Sequence, residues 1–407
     1  MSAALRVMLV AAEASGDALG AGLARALKQR LGDQVSFVGV GGTQMAAEGV
    51  QSPFDIAELS ILGLFEGLMA YAKVVRRADQ TAALAETTRP DVAVLIDSWG
   101  FTLRVAQRLR RRLPGLPLVK YVGPQVWASR PGRARTLAAT VDLLLAQHPF
   151  DAPYFEAEGL KTVFVGSAAL QRDFSGADPA RLRAHIGASA DEPILLVLPG
   201  SRPGEIARVG PPFGEAVDRL AAARPGLKVV IPVAGTVAGL VRAQTAGWRH
   251  RPVLIEDEGL KADALRAGTL ALACSGTATT ELAMAGCPMV VGYRLGAATH
   301  AVLRRLIRTP YVVLLNIAAG EMIVPERIQG QCTGAILAAD LAARLDDPAL
   351  RAAQVAAQNA ALDKMGRGQG DPAGLAAEAV LAIVRKTGGG AGGAPSAVPQ
   401  PRASTGT

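Results

Sequence analysis

Ile194-Leu195-Leu196-Val197-Leu198-Pro199-Gly200-Ser201-Arg202-Pro203-Gly204-Glu205-Ile206 is an apolar, strand-like run that ends in small and hydroxyl residues just before a helical pattern. A chain that turns this way presents backbone N–H groups to a phosphate. The same grammar returns at Cys274-Ser275-Gly276-Thr277-Ala278-Thr279-Thr280-Glu281, after the apolar run 270–274. Two such turns in one half of a chain predict a diphosphate site.

Around these turns, apolar runs at 194–198, 228–233, 252–255, 270–274 and 288–293 alternate with helical stretches such as 211–223. This is the spacing of βαβ units in a parallel sheet. The first half repeats it, with runs at 6–12, 35–42, 92–96 and 118–122, and a helix from the turn at 13–22 through Leu31. The fold class is therefore α/β, with two Rossmann-like, doubly wound domains. The expected division is 1–167, a linker at 168–190, a second domain at 191–345, C-terminal helices at 346–386 and a disordered tail at 387–407. The tail is Gly, Pro, Ser and Thr with almost nothing to bury. Whether the C-terminal helices pack back on the first domain stays open at this point.

At 407 residues and 50% hydrophobic content the chain suits two cores, and no window reaches the apolar length of a membrane span. The net charge of +8 fits nucleic acid, an anionic membrane surface or phosphorylated small molecules. Aromatics are 4% and no basic, aromatic-interleaved stretch occurs, so nucleic acid is the weakest of the three. Cys274, Cys287 and Cys332 lack metal-ligand spacing, and the apolar start runs directly into Glu13-Ala14-Ser15-Gly16-Asp17 without a basic leader. A reducing cytoplasm is the expected setting.

Arg202 supplies a cation beside the first turn, and Ser275, Gly276 and Thr277 supply amides and hydroxyls at the second, a set suited to a departing diphosphate. Glu281, one helical turn past Thr277, is placed to accept from a ribose hydroxyl. Against this, Ser-Gly-Thr turns are common in sheets, and Arg202 has Glu205 as a local partner. With no Asp-x-Asp triple in the chain, no metal clamp is expected.

Asp97 ends the run 92–96 and so belongs at the carboxyl edge of the first sheet. There it reads either as a general base for an attacking hydroxyl or as an N-cap of the next helix. Glu13, Ser15, Gly16 and Asp17 form a strand-to-helix turn expected to line the interdomain cleft, or to be a plain turn. Leu64, Leu68, Tyr71 and Val75 share one helical face, widened by Phe65 and Met69, with Lys73 and Arg77 on another side. That pattern fits either a membrane-surface helix or core packing.

Together these segments resemble lipid-A-disaccharide synthase, an inverting glycosyltransferase family of GT-B type. The resemblance rests on Ala12 to Asp17, Gly39-Val40-Gly41-Gly42, Leu62 to Glu66, Ile96-Asp97, Tyr121-Val122 with Pro124, Val126-Trp127-Ala128 and Arg130 to Arg133. It continues through Leu198 to Arg202, Ser275 to Glu281, Pro288 to Arg294 and Val324-Pro325-Glu326. It implies two Rossmann-like domains facing a cleft and transfer of 2,3-diacylglucosamine from its UDP-linked form to the 6-hydroxyl of 2,3-diacylglucosamine 1-phosphate (lipid X), releasing UDP. It also implies peripheral attachment to the cytoplasmic face of an anionic inner membrane, and no metal or cofactor. Asp97 falls on the family's base, while Arg202, Ser275, Gly276, Thr277, Glu281 and Asn316 fall on or beside its UDP-binding positions. The chain departs from the family pattern at Trp99-Gly100-Phe101, Ser167-Ala168 and Leu315. Those departures keep open a related UDP-sugar enzyme with another acceptor, a 2-epimerase, or a UDP-sugar binder without activity. Oligomeric state is not legible.

Overall fold

The computed structural model describes residues 4–60, 67–296 and 309–388, with the backbone alone for 60, 67–70, 387 and 388. The expected membrane-facing Leu64 and Phe65 lie outside the described residues, as does most of the tail.

The first sheet comprises β1 (Leu5–Val10), β2 (Val35–Val40), β3 (Val92–Ile96), β4 (Leu118–Tyr121), β5 (Leu143–Ala146) and β6 (Thr162–Phe164), in the order β2-β1-β3-β4-β5-β6. The second comprises β7 (Ile194–Leu198), β8 (Lys228–Pro232), β9 (Val253–Ile255), β10 (Leu270–Cys274), β11 (Met289–Tyr293) and β12 (Glu326–Ile328), in the order β12-β11-β10-β7-β8-β9. The recorded registers are parallel, as for Val10 opposite Leu95 and Ala273 opposite Leu198. Each sheet is thus doubly wound, and its strand order reverses once, between β1 and β3 in the first and between β7 and β10 in the second. Open α/β sheets bind ligands outside the strand carboxyl ends at such reversals.

Burial explains why these runs are strands. Every residue of β3 and β10 is buried, the mark of a parallel strand covered on both faces. At Gly39 the pairing leaves no room for a side chain, because a Cβ there would stand 1.8 Å from the Leu9 carbonyl oxygen. β5, β6 and β12 do not stand out in the sequence. Each is four residues or fewer, and β12 opens on the buried Glu326.

The helix expected at 211–223 begins at Pro203 and carries Pro211 and Pro212 in its interior. Proline removes backbone hydrogen bonds from a helix. Here the apolar face formed by Ile206, Val209, Phe213, Val217 and Leu220, buried among β7, β10 and β11 side chains, holds the helix through them.

The chain divides into two compact units, Met1–Tyr121 with Thr140–Leu143 and Ala373–Thr407, and Val122–Ala139 with Leu144–Pro372. Within the first unit, Arg30 Nη2 reaches Glu378 Oε1 at 3.0 Å, tying the last helix, Pro372–Gly388, to the helix Ala14–Leu31. Within the second, buried Gln354 and Gln358 of the helix Pro348–Lys364 donate to the carbonyls of Met289 and Cys287 at 2.6 and 3.1 Å. Residues 168–190 carry the helix Pro179–His185, whose Leu182 is buried in the second unit's core. No helix among the described residues is long and apolar enough to cross a membrane.

Candidate active site

The strand reversal in the second sheet carries a cavity of about 510 Å³. It is lined by the turn Leu198 to Arg202 after β7, the turn Ser275 to Ala278 after β10, and by Arg172, Glu205, Lys261 and Glu281. The two phosphate-type turns of the sequence therefore meet in one pocket. Gly200 has φ +108°, which an L side chain rarely adopts, so the first turn requires glycine. At Gly276 a Cβ would meet nothing within 4 Å among the described residues, so packing among them does not require glycine there. The described residues leave space beside it. Gly276 caps the helix Thr277–Met284, whose first N–H groups carry partial positive charge toward that space.

The cations and carboxylates of the pocket are already arranged. The Arg202 side chain is 78% exposed and holds Glu205 Oε1 at 3.2 Å, so one loose contact separates it from a ligand. Glu281 faces Arg172, with Nη1 2.7 Å from Oε1. The Ser275 hydroxyl donates to the Val312 carbonyl at 3.2 Å. Thr277 is exposed at the helix start.

Asn316 does not line this pocket. It is fully buried, and its amide bridges both backbone groups of Val324 at 2.8 Å and reaches Glu326 Oε2 at 3.2 Å. Glu326 in turn accepts from the amides of Val312 and Val313, while burial raises its carboxyl above the usual range. Asn316, in the helix Leu314–Ala319, thus holds together the segment 312–326, whose Val312 carbonyl takes the Ser275 hydroxyl.

At the reversal in the first sheet, Asp97 follows β3 and is half-buried. It is not the cap of the next helix, Trp99–Arg112, because Ser98 holds that position. Asp97 and Ser98 have φ values of +46° and +38°, two consecutive left-handed residues without a glycine. Such backbone costs on the order of 1–3 kcal/mol per residue and clusters at functional sites.

An apolar cavity of about 380 Å³ opens beside this turn, lined by Glu13, Leu59, Tyr71, Val74, Ser98, Trp99, Phe101 and Arg104. The Arg104 guanidinium lies 5.0 Å from the Tyr71 ring centroid, and Tyr71 is 55% exposed. Val75, one helical turn beyond Tyr71, is half-buried, and nothing is described of the Leu68 and Met69 side chains.

The expected turn 13–17 divides. Glu13 and Ser15 are exposed, and Gly16 is buried, where a Cβ would press Ala11 Cβ at 3.2 Å. Asp17 is turned away from any ligand: it is 3% exposed and accepts from the amides of Gly42, Gln44 and Met45 at 2.7, 2.9 and 3.0 Å. Its carboxylate caps the start of the helix Thr43–Ala47.

The family described as lipid-A-disaccharide synthetase matches residues 7–380. The lipid-A-disaccharide synthase of Rhodospirillum centenum is 41% identical over 94% of this chain and 95% of its own. That of Ruegeria pomeroyi is 44% identical over 93% and 95%.

This chain belongs to the lipid-A-disaccharide synthase family.

It is thus a glycosyltransferase of lipid A biosynthesis, and its two parallel six-stranded sheets are the GT-B fold. The fold is shared with the Staphylococcus aureus MnaA structure with UDP, at a TM-score of 0.60 and 15% identity over 94% of this chain and 96% of that one.

Several residues at the two sites escape the sequence reading. Arg172 lies in the stretch read as linker, yet it grips Glu281. Lys261, its side chain 12% exposed, lines the same pocket as a third cation beside Arg172 and Arg202 and pairs with Glu258 at 2.5 Å. Lys120, buried on β4, reads as an ordinary strand lysine but touches the Asp97 carbonyl oxygen. For these the deciding signal is position in space.

Proposed function

We propose that this member of the family transfers an acylated glucosamine from UDP-2,3-diacylglucosamine to the 6-hydroxyl of lipid X, with inversion. The observation that carries the reading is the pairing of roles at the two strand reversals: diphosphate turns in one sheet, a carboxylate on a strained strand end in the other. Asp97 takes the proton of the acceptor hydroxyl as its oxygen attacks the anomeric carbon. The carbon–oxygen bond to the β-phosphate breaks, and UDP leaves with the bonding electrons. The helix amides at Gly276 and Thr277, with Arg202, stabilise the charge that develops on the diphosphate.

On this reading, Glu281, oriented by Arg172, accepts from the ribose. The apolar pocket at Trp99 and Phe101 takes acyl chain of the acceptor, and Arg104 at its wall faces the acceptor's phosphate. The exposed Tyr71 and the basic residues Arg76 and Arg104 support attachment to the anionic cytoplasmic face of the inner membrane.

Two measurements test this. Incubation with both acylated substrates should give UDP and a β-1′,6-linked disaccharide in equal amounts; UDP without disaccharide would contradict it. Sedimentation with vesicles should show binding to anionic lipid that weakens in salt, and equal binding to neutral vesicles would remove the electrostatic part.

A further inference from the structure

Lys120 is 3% exposed on β4, with its ammonium directed at the turn that carries Asp97. Nζ donates to the Asp97 carbonyl oxygen and, at 2.7 Å, to Thr102 Oγ1. The Thr102 hydroxyl in turn lies 2.6 Å from the same carbonyl oxygen and 3.0 Å from that of Ser98. On the other side of the turn, the Asp97 amide donates to the Tyr121 carbonyl at 2.8 Å. Asp97 and Ser98 are the two left-handed residues, and left-handed backbone without glycine persists only where its surroundings over-determine it.

We propose that Lys120, with Thr102, is a positioning residue of the transfer reaction: it clamps the Asp97 carbonyl and so fixes the left-handed turn that aims the Asp97 carboxylate. The inference rests on the reading of Asp97 as the base. A packing role alone does not account for the choice of residue. A buried ammonium is costly to desolvate, and burial draws this one down to about 7 against the pull of the Asp97 charge. An apolar side chain of similar length would fill the same space at less cost. The lysine therefore matters for what it holds.

The test uses the full chain with Lys120→Met and Thr102→Val, each alone and combined with Ser98→Gly, beside Asp97→Asn. The expected Lys120→Met protein unfolds at or above the parent's temperature and keeps the donor KM within about twofold, while kcat falls about tenfold or more. Ser98→Gly removes the steric cost of the left-handed φ and should return about threefold or more of that kcat. Thr102→Val should lose less, in the same direction, and if Lys120→Met does not fold, the Thr102 pair carries the decision by the same criteria. A Lys120→Met kcat within about twofold of the parent, or a loss that Ser98→Gly leaves unchanged, overturns the inference. The two readings fail separately. Full activity in Asp97→Asn sinks the base assignment whatever Lys120 does, whereas an inactive Asp97→Asn beside a fully active Lys120→Met sinks the clamp alone.

Discussion

Arg172 and Glu281 meet at 2.7 Å in the lining of the pocket at the second sheet's strand reversal, and the same guanidinium lies 5.3 Å from the Phe174 ring centroid. Arg172 is thereby fixed from two sides, and it fixes Glu281. Both side chains are about a third exposed, so the pair adds little to stability. Glu281→Gln should shift the unfolding free energy by less than about 1 kcal/mol, while UDP affinity drops about tenfold through the lost ribose contact. Calorimetry with UDP and a urea titration read the two effects apart. Unchanged UDP affinity would assign the pair to the scaffold.

Asp17 shows the opposite balance. A buried carboxylate that accepts three backbone amides is part of the fold, since its removal strands those N–H groups away from water. Asp17→Ala should cost on the order of 2–4 kcal/mol in a urea titration, with kcat per folded molecule preserved. A stable variant that has lost turnover would instead return Asp17 to the active site.

The second unit carries a pH signature at Asp151, whose Oδ1 takes the Trp127 indole N–H at 2.9 Å. Burial pushes its carboxyl up to about 6 from an ordinary 3.8, and the Trp127 and His148 hydrogen bonds only partly oppose this. The folded state then holds a proton that the unfolded chain has released. The stabilising contribution of this group is full below 3.8 and is lost as pH rises through about 6. Asp151→Asn, which keeps an acceptor for the indole, should flatten the stability profile between pH 4 and 6.5 relative to the parent. Parallel profiles would show that Asp151 does not titrate there.

The elements that read clearly in the sequence are those where one physical rule acts alone. β3, β7 and β10 are unbroken apolar runs closed by a polar or turn-forming residue, and burial on both sides of a parallel sheet leaves no other pattern for them. The turn at Gly200 reads clearly because its positive φ selects glycine. The features that do not read are set by residues distant in the chain. Lys120 is a lone polar residue in an apolar run, and its partners, the Asp97 carbonyl and Thr102, come from elsewhere in the chain. Pro211 and Pro212 mark a helix boundary by local rules, and the face from Ile206 to Leu220 overrides them. Asn316 carries the chemistry of a ligand contact, yet the loop around Val324 and Glu326 has taken its amide.

In the proposed transfer, Asp97 takes the acceptor's proton. The most direct measurement is single-turnover transfer by Asp97→Asn at saturating donor and acceptor, with UDP binding measured on the same preparation. UDP affinity should equal the parent's, because the turns at Gly200 and Gly276 lie in the other sheet, and the transfer rate should be lower by about a hundredfold or more. A variant that binds UDP normally and transfers within a few-fold of the parent rate would contradict the account.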